Sequence, residues 1–461
     1  MSSLFTQHSS SYRDPSGFIF LHDGICYRQV NKIFKDDFDF FISSGCYESL
    51  VKKGLLIPHQ IINGNLTGSR EYYKTLQPEP VKFISYPYEW SFDMLKDAAL
   101  LTLQLVKEVI SYGLILKDAT PYNIQWHGRK LIFIDTLSFE KYNEQEPWIA
   151  YRQFCECFLS PLLLMHYSKM PLHQMQLAYP EGIPLAVTKS LLPARSKFSF
   201  HTYLHIHLHA VMSSKKKVSN TRINKFSKQK LLNLISSLET LITKLKLPGQ
   251  RSAWSEYYEE ASQRNNYLES KKVLIRQWLN TLNDIETAVD LGANNGECSR
   301  LLSEKNIYTV AADFDPYCIN NLYNSLKKTG EKNIQPLIID LSNPSPSIGV
   351  NNEERSSFIH RVQVDLVMTL AIIHHLAIGK NIPFDMIADL LQRISRKYLV
   401  IEFVPKSDEK IQLILSGKKD VYTMYTEEYF EQAFKKYYRI AGKETIGTSA
   451  RILYLMIKHE K

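Results

Sequence analysis

From residue 280 onward, short unbroken apolar runs alternate with longer stretches in which apolar positions return every three or four residues. The runs are ETAVDL, YTVAADF, IQPLIIDL, VDLVMTLAI and RKYLVIEFV; between them stand helical segments such as DPYCINNLYNSLKKTG and PFDMIADLLQRISR. Strands that are apolar on both faces, each followed by a helix, predict a doubly wound, mostly parallel α/β sheet covered on both sides. The closing segment, TEEYFEQAFKKYYRIAGKETIGTSARILYLMIK, holds one helix and two strands around a polar loop, and so predicts an antiparallel edge.

Upstream the pattern changes. DAALLTLQLVKEVISYGLILKD carries apolar residues at helical spacing, interrupted by Lys107 and Glu108. It predicts a buried helix, since a membrane span needs ~20 apolar residues in a row. DPSGFIFLHDGICYRQV predicts two short strands around His22-Asp23-Gly24. The chain is therefore expected to divide into an N-terminal α+β domain over 1–200, a helical connector and cofactor lid over 201–279, and the α/β domain over 280–461.

Composition narrows the class. With 461 residues, 44% hydrophobic and 22% charged, the chain reads as a folded multidomain protein. The polar start MSSLFTQHSSSYRDPSG lacks the apolar core of a secretion signal, so the expected location is the cytoplasm. The six cysteines form no CxxC pair and no zinc spacing, which points to reduced thiols and no metal site. In HTYLHIHLHAV, His205, His207 and His209 lack a neighbouring Cys, Asp or Glu to complete a metal site, and packing is the expected role. Most of the +9 charge sits in one stretch, VMSSKKKVSNTRINKFSKQK, with a single aromatic residue. It reads as a solvated linker, and a nucleic-acid partner is not favoured.

The chemistry gathers at the strand ends. In an open α/β sheet, ligands bind beyond the carboxyl ends of the strands. In DLGANNGE, Asp290 closes the first strand, Gly292 allows close backbone approach, Asn294 and Asn295 follow, and Gly296 sits where a helix begins. Asp313 ends the second strand, where a carboxylate can accept both ribose hydroxyls, and Asp340 ends the third, within reach of an adenine amino group. The spacing is GxxxG rather than the GxGxxG of dinucleotide sites, which fits an adenosyl ligand with an amino-acid tail. Residues 280–461 thus resemble a class I S-adenosylmethionine-dependent methyltransferase, with S-adenosyl-L-methionine the implied cofactor. Ahead of the first strand, Tyr257 and Tyr258 in WSEYYEE are expected to cover the adenosyl group.

Three groups near the crevice are candidates for catalysis: His374 and His375 after the fourth strand, and Glu402 after the fifth. Each histidine is either a general base or a support for the cofactor pocket. Glu402 contacts substrate or is a solvated loop carboxylate.

In the N-terminal block, LKDATPYNIQWHGRKLIFIDTLSFE places Asp118, then Asn123 five residues on, then a polar turn and an apolar strand ending in Asp135. The layout resembles the catalytic and metal-binding loops of protein kinases and kinase-like phosphotransferases. The resemblance implies a base position for Asp118 and metal positions for Asn123 and Asp135. Leu116-Lys117-Asp118 stands in place of the histidine-containing triplet and DTL in place of DFG, and no glycine-rich loop or Val-Ala-x-Lys strand precedes them. The expectation is a kinase-like remnant that selects substrate. DPSGFIF, YRQV, LKDATPYNIQ, NNEERSS and IEFVPKSD together resemble a group of long bacterial nodulation-protein-like methyltransferases. That resemblance implies a small-molecule or carbohydrate acceptor. Two alternatives stand beside it: a phosphotransferase or nucleotide-binding module fused to a methyltransferase-like domain, and a non-catalytic adenosyl-binding protein.

Overall fold

The computed structural model describes residues 5–214, 226–248, 266–416 and 419–460. The chain forms two compact units. One comprises Met1–Pro248 together with Ile348–Arg355, the other Gly249–Ser347 with Ser356–Lys461.

The first unit opens with a five-stranded antiparallel sheet. Its strands are β1 (Phe5–Gln7), β2 (Gly17–His22), β3 (Ile25–Asn31), β4 (His59–Ile62) and β5 (Tyr72–Pro78), in the order β1-β2-β3-β5-β4. β2 and β3 are joined by Asp23 and Gly24, both with positive φ (51° and 75°), the two-residue turn whose twist suits a hairpin. Val30, Phe34, Phe38, Leu76 and Leu137 form a buried cluster against this sheet. The helix Phe92–Ile110 follows, buried along most of its length, as its apolar spacing requires. Then come β6 (Leu114–Leu116), β7 (Ile124–His127), β8 (Lys130–Phe133) and β9 (Phe139–Lys141), in which β6 pairs with β9 and β7 with β8.

The stretch expected as one connector, 201–279, is split between the units. Helix Lys228–Lys244 buries Leu231, Ile235, Leu238, Leu241 and Ile242 in the first unit, where Lys96 Nζ donates to the carbonyls of Thr243 and Leu245 at 2.9 and 2.8 Å. Helix Tyr267–Leu279 belongs to the second unit. The histidines at 205, 207 and 209 lie on helical turns and are used in packing. His205 contacts Tyr151 Oη (2.7 Å) and Ser237 Oγ (2.8 Å), His207 contacts Ser196 Oγ (2.8 Å), and His209 stacks on Tyr151. Among the described residues no helix is long and apolar enough to cross a membrane.

The second unit is the alternating domain. Its sheet runs β12-β11-β10-β13-β14-β16-β15, built from β10 (Thr287–Leu291), β11 (Tyr308–Asp313), β12 (Ile334–Ile338), β13 (Val364–Thr369), β14 (Ser395–Phe403), β15 (Tyr438–Thr445) and β16 (Ile452–Lys458). β10 to β14 are parallel, and β16 runs antiparallel between β14 and β15. All six residues of β11 and of β13 are buried, the physical basis of their unbroken apolar pattern. The helix Pro316–Thr329 shows local coding at both ends. The Asp315 carboxylate accepts from the N–H groups of Tyr317 and Cys318, Pro316 fills the first turn, and Gly330 ends the helix at φ 72°. The chain order departs from β10 in two directions, to β11 and to β13, so a crevice opens beyond their carboxyl ends.

Candidate functional site

A cavity of about 310 Å³ lies at those strand ends, within the usual range for small-molecule sites, about 300–1,000 Å³. Asp290, Gly292, Asn294, Asp313, Asp340 and His375 line it, together with Lys271, Phe314 and Ala371.

The loop after β10 is shaped by its neighbours. Gly292 adopts φ 79° and donates its N–H to Ala312 O at 2.8 Å, folding the loop back over the end of β11. Asn294, at φ 50°, turns its N–H to Asp313 Oδ2 at 2.8 Å, while Asp315 N–H reaches Oδ1 at 2.9 Å. Gly296 precedes the helix Glu297–Ser303. Its φ is 78°, and a Cβ there would lie 2.7 Å from Leu322 Cδ1, so the position serves close packing. Neither Gly296 nor Asn295 lines the cavity.

Burial controls the acids. Asp290, hydrogen-bonded by Ser299 Oγ at 2.6 Å, is raised by desolvation to about 7. Asp313 is raised by the same cause to about 6, with backbone N–H bonds acting against the shift. Asp340 accepts from the N–H and Oγ of Ser342 at 2.8 and 2.6 Å.

The two histidines differ in position. His375 lines the cavity; His374, 2% exposed, does not. Their ring centroids are 4.0 Å apart. Burial, then the charge of Arg451, lowers His375 to about 4, and burial with His375 beside it holds His374 well below its ordinary value. Both rings are neutral near pH 7, and a base that weak gains little from proton abstraction there.

Glu402 is fully buried and does not line the cavity, in contrast to the solvated rim or substrate contact its position at a strand end suggests. Its Oε2 is 2.8 Å from Lys271 Nζ, its Oε1 is 3.3 Å from an Arg451 nitrogen, and Tyr267 Oη donates to it. Arg451 in turn holds Asp408 at 2.7 and 3.0 Å. Burial pushes the Glu402 carboxyl up, but Lys271 and Arg451 outweigh it and hold the group below its usual range. Tyr257 and Tyr258 lie outside the described residues.

In the first unit, the turns that follow β6 and β8 bring Asp118, Asn123 and Asp135 together. Asn123 Nδ2 is 2.9 Å from Asp118 Oδ2 and 3.5 Å from Asp135 Oδ2. Gln153 donates to Asp118 Oδ1 at 2.5 Å. Burial, then the Asp135 charge, raises Asp118. Arg28, on β3, sits 2.6 Å from Asp135 Oδ1, which also accepts from Leu137 N–H, while Ser138 Oγ donates to Oδ2. Asp135 is thus already matched to a guanidinium.

Sequence reasoning missed Arg28, Lys271, Phe314 and Ala371. For Lys271 a signal existed: Leu268, Lys271, Ile275 and Leu279 share one helix face, and a lysine in an apolar stripe implies a buried counter-charge. Ala371 carries φ 53° at the cavity wall, a backbone state no residue type announces.

Five parallel strands joined to an antiparallel pair, with a loop after the first strand and acids at the next two strand ends around one cavity, define a class I methyltransferase fold. No family model matches the chain. Over 98% of its length, however, it is 32% identical to the nodulation protein NoeA of Rhizobium meliloti (strain 1021), of which it covers 96%. The chain belongs to the NoeA family of nodulation proteins. Among solved structures, the N-methyltransferase NodS from Bradyrhizobium japonicum WM9 with S-adenosyl-L-homocysteine is similar at TM-score 0.33 and 14% identity, over 43% of this chain and 91% of that one. The bifunctional kinase-methyltransferase WbdD is similar at TM-score 0.29 and 17% identity, over 48% of this chain and 45% of that one. Both likenesses are too distant to bear on either site.

Proposed function

We propose that the chain is an S-adenosylmethionine-dependent methyltransferase acting on a small-molecule or carbohydrate acceptor. The observation that carries this reading is the convergence of Gly292, Asp290, Asp313 and Asp340 on one cavity at the strand ends. The residues fit the group. The positive φ of Gly292 lets the backbone approach a ligand, and two partly desolvated carboxyls face a site meant for a ligand of net positive charge. When bound, S-adenosylmethionine supplies an electrophilic methyl group on a positively charged sulfur. Asp313 would hold the ribose hydroxyls and Asp340 the adenine amino group. His375, neutral at the cavity wall, orients the acceptor by a hydrogen bond. Holding a nucleophile in line accounts for much of the acceleration in such a displacement.

The acids give this reading a pH signature. Both have folded-state values above the ordinary 3.8, so their contribution to stability is complete below about pH 4 and is lost as pH rises through about 6 to 7. A cationic ligand favours the ionised forms. Calorimetric titration with S-adenosylmethionine is expected to show binding that tightens from pH 5 to 7.5 with release of protons. No heat of binding at any pH in that window would overturn the methyltransferase reading. Mass spectrometry of metabolites, glycans and RNA after incubation with isotopically labelled donor would then identify the acceptor.

In the same reading the first unit is a kinase-like scaffold that selects substrate. The pairing of Arg28 with Asp135 supports this, because a guanidinium stands where the resemblance implies a metal ion. Full-length chain given magnesium and labelled ATP should form no phosphorylated product. Phosphoryl transfer that Asp118→Asn abolishes would establish the phosphotransferase alternative instead.

A further inference from the structure

Between Glu181 and Glu239 the sequence holds no Asp or Glu, and the acids at the two ends are answered elsewhere, Glu181 by Arg13 at 3.0 Å and Glu239 by Lys107. Within this stretch the first unit exposes large apolar side chains. Phe198 is 92% exposed and Phe200 72%, and Leu191, Tyr203 and Met212 are exposed as well. Single exposed apolar residues are ordinary, but a group of them marks an interaction surface. The elements that carry these five pack on one another. Helix Leu185–Leu191 lies against the helical turns Tyr203–Leu208 and against helix His209–Ser214, and the turn Ala194–Phe198 lies against Phe200–Thr202 and Tyr203–Leu208.

Two cations border the aromatic side chains. His207 is fixed by Ser196 Oγ, 2.8 Å from its Nε2, and stacks with the Tyr203 ring at 6.2 Å between centroids. Lys197 and Lys189 act electrostatically on the same imidazole, which burial and then these charges hold below its ordinary value. Both lysines are exposed, and neither makes an ion pair among the described residues. Arg195 is engaged apart from them by Tyr167, whose carbonyl accepts from its Nη2 at 3.0 Å. Lys189, Lys197 and Tyr203 thus gather about one histidine, with Phe198 and Phe200 beside them in the chain.

Exposed apolar side chains next to unpaired cations are the two features by which a protein surface rests on an anionic bilayer. The apolar groups enter the layer between headgroups and acyl chains, and the ammonium groups meet lipid phosphates. A second copy of this chain would set the same cations against each other. A nucleic acid would stack on the rings, whereas Leu191 and Met212 offer apolar area and no stacking face.

We propose that the surface around Lys189, Lys197, Phe198 and Phe200 docks the first unit on an anionic lipid bilayer. This docking goes beyond the methyltransferase reading and does not rest on it.

The test is co-sedimentation of the full-length chain with vesicles of phosphatidylcholine alone and of phosphatidylcholine and phosphatidylglycerol mixed three to one. Binding to the mixed vesicles is expected, and much weaker binding to phosphatidylcholine; this comparison needs no variant. Phe198→Ser with Phe200→Ser should lower affinity for the mixed vesicles by about 10-fold or more, since binding grows with the apolar area inserted. Lys189→Gln with Lys197→Gln should lower it by about 30-fold, at about 5-fold for each cation at an anionic surface. All four side chains are exposed, so both variants should melt as the wild type does. Wild-type chain that stays in the supernatant with mixed vesicles would overturn the proposal. Undiminished affinity in the folded aromatic variant would overturn it as well, by assigning the attraction to the overall positive charge of the chain. Undiminished affinity in the lysine variant would overturn the part given to Lys189 and Lys197. Self-association, or binding of single-stranded RNA, that the aromatic substitutions abolish while vesicles are not bound would give the surface to a second copy or to a nucleic acid and overturn the bilayer.

Discussion

Glu402→Ala is expected to destabilise the second unit by about 3–5 kcal/mol, the usual cost of removing one partner from a buried ion cluster. Glu402 has no exposed surface, and the substitution would remove the carboxylate that faces both Lys271 and Arg451, 3% and 4% exposed. Glu402→Gln should cost less, because the amide keeps the shape and one acceptor for Tyr267. The folded-state value of Glu402 is depressed, so its contribution is present above about pH 4.5 and is lost as the medium becomes acid enough to protonate it in the folded chain. Urea denaturation at pH 7, followed by a probe confined to the second unit such as hydrogen exchange in β14, reads the effect. Unfolding of Glu402→Ala within about 1 kcal/mol of the wild type, below the usual cost of removing one partner from a buried ion cluster, would show that the cluster is hydrated and not a closed network.

The same residue shows where sequence stops informing structure. A carboxylate at the end of a strand is read as facing the crevice, but side chains alternate along β14, and Glu402 faces helix Tyr267–Leu279 instead. Which face is which depends on a helix more than 120 positions earlier. The shape of the loop after β10 was legible because its cues are local: Gly292, Asn294 and Asp313 lie within 22 residues, and the positive φ of Gly292 and Asn294 suits those residue types. The parallel sheet was legible because strands buried on both faces must be apolar throughout. Arg28 was not, since an arginine in YRQV on an alternating strand looks like any surface cation until the turn carrying Asp135 folds against it.

The division into compact units has a related cause. A linear reading assigns 280–461 to one block, yet Ile348–Arg355 folds with the first unit. There Glu354, 4% exposed, is held by Arg13 at 3.0 Å and by Tyr12 at 3.0 Å, and the Arg355 guanidinium stacks over Tyr122 at 3.9 Å. The NNEERSS stretch, which periodicity leaves without a role, is thus explained by contacts to residues that precede it by more than 200 positions.

Asp313→Ala is expected to weaken binding of S-adenosylhomocysteine by at least ~10²-fold, about 3 kcal/mol, because two charge-assisted hydrogen bonds at about 1.5 kcal/mol each disappear. The loss has two origins that a pair of variants separates. Asp313 Oδ2 holds the N–H of Asn294 and Oδ1 that of Asp315, so the carboxylate shapes the loop as well as lining the cavity. Asp313→Asn keeps one acceptor oxygen and loses the charge. It should retain most of the loop geometry and fall between wild type and alanine in affinity. Because Asp313 sits near 6 when the site is free, protons released on binding at pH 6 should decrease in both variants, leaving the contribution of Asp290 near 7. Calorimetry in two buffers of different ionisation enthalpy reads affinity and proton release in one experiment, and thermal melting reads the cost to the loop. Affinity unchanged in Asp313→Ala, with the variant folded, would remove Asp313 from the ribose position and require the ligand to lie elsewhere along the strand ends.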